Sequence, residues 1–302
     1  MMNNPLLEYG SDGLFFQRNS RAKQRIPLFR TRLYLLSGSL ILAVVFVSPT
    51  LGGFFSKRDR GRRGPTVLKM DTGVRASSLG GAFVGSADDA SALFWNPAGL
   101  QRVPRQEFLA GHSQVFEDQT RDDLAWVLPV WRRGERETWG VQASYLAVDR
   151  FDLVKNGNPA GSARPWEGVV GLSYARPFRN LFWGVTGKLA RKEFPGASGQ
   201  SYLLDAGLQG TSKKMGINWG VTLANLGTTM TLGEGTLAPP LVMRWGASKG
   251  FFLGQRNRLC WSGQIDAPSD DVLLGRMGLD YVIPGEEWVF AFRLGGQTAG
   301  AT

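Results

Sequence analysis

His112 and Cys260 are the only histidine and the only cysteine of the chain, and that scarcity decides most of the available chemistry. A zinc site built from clustered imidazoles and thiolates is excluded. An intrachain disulfide is excluded as well. A Ser/His/Asp triad would have to use His112, and no G-x-S-x-G elbow accompanies it. Asp88 and Asp89 are the next candidates, as a general acid/base pair. Neighbouring residues on a helix do not face each other, so the two carboxylates would not converge on one substrate atom, and helix capping is the stronger reading. No catalytic residue, metal site or cofactor follows from these residues, and the chain is not expected to be an enzyme.

The charges left to explain fall within alternating segments: Lys188, Asp205, Arg244, Arg276, Asp280 and Arg293. In INWGVTL, Ile217, Trp219, Val221 and Leu223 alternate with Asn218, Gly220 and Thr222. In LVMRWGAS, Leu241, Met243, Trp245 and Ala247 alternate with Arg244, Gly246 and Ser248; WVFAFRL repeats the arrangement around Arg293. A period of two marks strands with one apolar, aromatic face and one small, polar or charged face. Eleven such segments are predicted, at 106–114, 123–131, 138–147, 166–176, 181–192, 201–211, 215–226, 240–251, 257–266, 271–282 and 286–295. Pro129 lacks a ladder donor, so a bulge is expected in the second.

A soluble periplasmic β-sandwich and a membrane β-barrel both alternate in this way. The segments approach the length that a tilted spanning strand requires. The connections after the first, third, fifth and seventh segments read as long or polar, and most others as tight. Short turns on one side and long loops on the other characterise outer-membrane barrels. The expected fold is therefore all-β, a transmembrane antiparallel up-and-down barrel, to which a family resemblance of residues 73–100 adds a short N-terminal helical plug. Trp183, Trp219, Trp245, Trp261 and Trp288 are expected to face outwards, and the six charges inwards, because an arginine in mid-membrane costs about 2–4 kcal/mol. Lys188 and Asp205 come nearly opposite each other, which suggests an ion pair. Eleven is an odd number, and such barrels usually have an even one, so the barrel is expected to be incomplete unless residues 66–72 add a twelfth strand.

The net charge of +10 is uneven: residues 1–64 contain 11 Lys/Arg and 3 Asp/Glu, which leaves the remainder nearly neutral. No basic cluster for nucleic acid remains in the body of the chain. Six arginines and lysines between Arg18 and Arg32 precede the apolar run Leu33–Val47 and then SPTLGG, the order of a signal peptide. Residues 1–53 are read as that signal, 54–72 as a linker, and 73–302 as the barrel, including a plug at 73–100. An uncleaved inner-membrane anchor is the competing reading of the leader.

The plug segment runs GVRASSLGGAFVGSADDASALFWNPAGL. Ser86 is expected to cap a short helix over 87–95, which Asn96 before Pro97 ends. Trp95 is expected to pack against the barrel wall. The stretch resembles the signature of the PorV/PorQ-like outer-membrane family, related to FadL-type barrels, through Gly73, Arg75, Ala76, Gly80, Gly81, Ala82, Ala87, Asp88, Asp89 and Asn96-Pro97-Ala98-Gly99-Leu100. LAPPLVMRWGASKGF and LLGRMGLDYVI agree with it. The resemblance implies an inward-folded hatch, location in the cell outer membrane, contact with outer-membrane lipid and a role beside other secretion-system subunits or in outer-membrane assembly. A FadL-like channel for small hydrophobic molecules is the alternative, although the polar inward face leans against a greasy path.

Overall fold

The computed structural model describes residues 64–116, 118–155 and 157–298; the expected signal peptide and most of the expected linker lie outside them. Eleven strands form one antiparallel meander in chain order. They are β1 (Glu107–Phe116), β2 (Gln119–Arg132), β3 (Glu135–Val148), β6 (Trp166–Phe178), β7 (Leu181–Phe194), β8 (Ala197–Ser212), β9 (Ile217–Gly227), β12 (Val242–Leu253), β13 (Asn257–Pro268), β14 (Leu274–Pro284) and β15 (Val289–Gln297). The connections after β3 and β9 carry small hairpins, β4 (Phe151–Lys155) with β5 (Asn158–Ala163) and β10 (Met230–Leu232) with β11 (Gly235–Leu237). Each predicted segment falls on one of the eleven strands.

Among the described residues β1 and β15 do not pair with each other, and no closed barrel forms. The fold is thus all-β in one large sheet, which is coarser than the barrel expected. Residues 66–72 do not add a strand; Thr66–Lys69 form a 3-10 turn. The long-and-short rhythm of connections is also corrected. The strands run further than the apolar pattern suggests, so β7 joins β8 through residues 195–196 alone, and only residues 117–118 separate β1 from β2. Pro129 causes no bulge: the β2–β3 register runs through Pro129↔Thr138 without a shift. β1 begins opposite Val127, so no β1 residue faces the proline and no donor is missed on that side.

Residues 64–103 lie across one face of the sheet. They form α1 (Val74–Ser78), α2 (Ala92–Trp95) and a 3-10 segment Pro97–Arg102, joined by turns. Leu79, Phe83, Leu93, Trp95, Leu100 and Val103 are buried together with Ala125 and Val127 of β2 and Ala175 of β6. A second apolar cluster joins Val67 to Leu146, Val169, Leu203 and Met230.

The two faces of the sheet invert the usual pattern. Arg121, Asp123, Glu167, Lys188, Asp205, Gln209, Gln264, Asp266 and Arg276 are buried on the covered face. The other face is bare and apolar: Leu172 is 55% exposed, Phe292 62%, and Leu124, Trp126, Val141, Leu189 and Leu279 are also exposed. Trp183, Trp219 and Trp261 are half-buried and Trp245 and Trp288 exposed, and no second sheet covers them among the described residues.

Candidate functional site

The interface between residues 64–103 and the covered face concentrates most of the motif residues, and Arg244, Arg276 and Asp280 of the six strand charges reach the segment there. Its first feature is how closely backbone approaches backbone. Gly140, Gly184, Gly207, Gly220, Gly246, Gly278 and Gly295 each stand where a Cβ would run into the N-terminal segment. At Gly184 the added carbon would lie 2.5 Å from the Pro97 carbonyl, and at Gly278 2.7 Å from that of Leu79. These seven glycines come from seven different strands, so they make a seam across the sheet.

Asn96 is the pivot of the seam. It is fully buried. Its Oδ1 accepts from Ala98 N–H at 3.1 Å and starts the 3-10 segment, while Nδ2 donates to the carbonyls of Val84 (3.2 Å) and Leu208 (3.1 Å). Gly207 and Gly220 leave the space that its amide occupies. Pro97 at the first helical position needs no N–H partner, which suits it to that place. Gly99 lies against Ala87, and Gly80 and Gly81 adopt positive φ as the chain turns towards β14 and β15. Burial of so much irregular backbone demands partners. Gln264 Oε1 accepts from Phe83 N–H (3.0 Å) and Val84 N–H (2.8 Å), and Gln209 Nε2 donates to the carbonyls of Gly85 and Ala87.

The charges complete the fastening. Arg276 reaches Asp71 at 2.7 Å and Asp266 at 2.8 Å, and Arg244 lies 3.7 Å from Asp266. The guanidinium carbons of Arg244 and Arg276 stand 5.5 and 5.8 Å from the Trp95 ring centroid, so the indole packs against the sheet through two cations. Trp95 Nε1 donates to the Thr72 carbonyl at 2.8 Å. Arg293 lies 3.1 Å from Asp280, which is 3.7 Å from Arg75. Lys188 Nζ stands 2.5 Å from Asp205 Oδ2.

Arg75 corrects the reading of Asp88 and Asp89. The expected helix over 87–95 is confined to Ala92–Trp95, and Ser86 caps nothing; its hydroxyl donates to the Phe83 carbonyl. Asp88 and Asp89 precede the helix and both bind Arg75, the latter at 3.1 Å. Asp89 also accepts from Ser91 N–H at 2.9 Å, a local turn that competes with helix. Burial pulls the Arg75 guanidinium down, but the two aspartates outweigh it and hold its pKa above the ordinary arginine value.

The chain matches the model of an uncharacterised protein family, UPF0164, over residues 43–177. It is 27% identical over 215 residues to a UPF0164 protein of Treponema pallidum (strain Nichols), covering 66% of this chain and 51% of that protein. A further UPF0164 protein of the same organism is 27% identical over 181 residues, covering 55% and 54%. The chain thus spans about half the length of the curated relatives it matches. These matches correct the PorV/PorQ-like resemblance: they point to UPF0164 and give no evidence for a PorV/PorQ or FadL family. The shared motif is short and rich in Gly, Ala, Asn and Pro, residues that any tightly buried turn selects.

Proposed function

We propose that this protein is an integral outer-membrane protein in which the large sheet is barrel wall and residues 64–103 are its plug. The observation that carries the reading is the inverted burial: charged and amide side chains are shielded on one face while large apolar side chains stand bare on the other. Water would penalise a bare face of that size, and lipid would not. The dimensions support it. On the bare face of β2, Asp122 and Arg132 bracket Leu124, Trp126, Leu128 and Val130. Ten residue steps at about 3.3 Å, tilted by about 40°, give a band roughly 25 Å tall, close to the apolar belt of outer-membrane barrels. Aromatic pairs flank the band: Trp139 lies 4.8 Å from Tyr174, which is 5.8 Å from Trp183, and Tyr145 lies 5.7 Å from Trp166 towards the other end.

The plug works as a fixed stopper in this reading. It is tied to the wall by buried amides and ion pairs along its whole length, and an apolar solute would meet charges where it needs a greasy path. The secretion role depended on the overturned resemblance and has no support of its own. The test is fractionation of cells producing the full chain, followed by carbonate extraction and purified-protein conductance in planar bilayers. Retention in the outer-membrane pellet with no conductance is expected. Release by carbonate would overturn the membrane reading, and steady conductance would overturn the stopper.

A further inference from the structure

We infer that the bare face holds one glycerophospholipid, with an acyl chain lying in a groove across β2, β3, β6, β7 and β8 and the phosphate at Arg191. This inference rests on the membrane reading above. The groove has a volume of about 1060 Å3 and is walled by Leu124, Trp126, Val141, Leu172, Leu189 and Tyr202. Small residues line it between the larger ones: Ala143 on β3 and Gly187 on β7, where an added Cβ would meet nothing within 4 Å. A sheet face of uniformly large residues would leave no such trough.

What stands at its upper end identifies the occupant. Two residues beyond Leu189 on β7 is Arg191, and two residues beyond Tyr202 on β8 is Gln200, so both continue the bare face. Arg191, Gln200 and Ser198 line a polar crevice of about 380 Å3 with Thr229 and Thr231. The Arg191 guanidinium is 5.8 Å from the Trp166 ring centroid, and Trp166 lies close over Gly168, the residue opposite Arg191 in the register. Arg191 has an acidic neighbour, Glu193, only at 3.5 Å, with both side chains about half exposed. A planar cation held on an indole at the rim of an apolar trough, among hydroxyl and amide groups, is suited to a phosphate whose ester continues into hydrocarbon.

The experiment is native mass spectrometry of the full chain in detergent, titrated with phosphatidylglycerol, with diacylglycerol of the same chains, and with inorganic phosphate. One phosphatidylglycerol per chain is expected, held more tightly than diacylglycerol and not displaced by inorganic phosphate. Arg191→Gln should weaken phosphatidylglycerol about tenfold, the effect of one charged hydrogen bond, and leave diacylglycerol unchanged. Gly187→Trp should fill the groove and abolish both. Gly263→Trp, on the bare face of β13, is the control for a bulky residue placed elsewhere. All variants are checked for retention in carbonate-washed membranes. Release of the unmodified protein would sink the membrane reading and this inference with it. Retention with lipid binding unchanged in either Arg191→Gln or Gly187→Trp would sink this inference alone, as would displacement by inorganic phosphate.

Discussion

Lys188 and Asp205 form an ion pair on adjacent strands, Nζ to Oδ2 2.5 Å, with both residues more than nine-tenths buried. Asn225 touches both: its Oδ1 accepts from Lys188 at 3.1 Å, and its N–H donates to Asp205 at 2.8 Å. Removing one partner leaves a buried charge unmatched, which costs about 3–5 kcal/mol, whereas removing both is far cheaper. Lys188→Met should therefore destabilise the protein more than Lys188→Met combined with Asp205→Leu. Urea unfolding of the three variants in detergent measures this, and additive single effects would refute it.

The glycine seam makes a sharper prediction. Gly207→Val and Gly220→Val should push the N-terminal segment away from the sheet, since an added Cβ collides with Asn96 at the first and with Val84 at the second. Overpacking of this kind costs about 1–3 kcal/mol or more. The readout is limited proteolysis between Leu79 and Leu100, which should speed up in both variants. Gly187→Ala, made in open space, should leave it unchanged.

This seam also marks where sequence reading stopped. The strands were legible because alternation in segments such as Ile217–Leu223 is long enough to identify a period. Glycines on the small, polar phase carry no sign of a partner in the sequence, yet Gly184, Gly220 and Gly246 admit Pro97, Val84 and Gly85. One glycine recurring on strand after strand was the available signal, and it shows only once the strands are set side by side. The helix is shorter than the sequence suggests for a local reason: Asp88 and Asp89 are spent on Arg75 and on a turn at Ser91, contacts that no periodicity encodes. α1 was missed because its five residues show no apolar stripe and Val74 is exposed. The inward phase of Arg244, Arg276, Asp280 and Arg293 was readable, whereas their fastening to Trp95, Asp71 and Arg75 was not.

Arg75 should act as the clasp of the segment's first half. Arg75→Gln removes the partner of Asp88 and Asp89, while Asp280 keeps Arg293. Because these groups are partly open to solvent, the expected loss is only about 1 kcal/mol. Faster cleavage near Ser86, with the sheet's unfolding midpoint little changed, would fit. Arg75→Lys should restore less than full protection, since a point charge cannot hold two carboxylates as a planar fork does.

The bare face offers a test of its surroundings. Leu172→Arg, near the middle of β6, should cost about 2–4 kcal/mol of stability in lipid and reduce the membrane-assembled fraction. The same substitution in a water-exposed sheet would be neutral and would improve solubility. Arg132→Leu, at the end of β2, should have little effect in either setting. Equal stability of Leu172→Arg and the unmodified protein in bilayers would argue against lipid contact.

An open meander of eleven strands has a parity that reaches beyond its own residues. β1 and β15 are both odd-numbered in the sheet order, so they run in the same direction. Joined directly, they would have to pair in parallel, unlike every other neighbouring pair in this sheet. Antiparallel closure instead requires an odd number of added strands, the first of them running opposite to β15, whatever polypeptide supplies it. If the sheet lies in a membrane as proposed, without either the outward N–H and C=O groups of both margins would stand unpaired in hydrocarbon at several kcal/mol apiece. The arithmetic of strand direction thus restricts what could pair with both margins of this sheet.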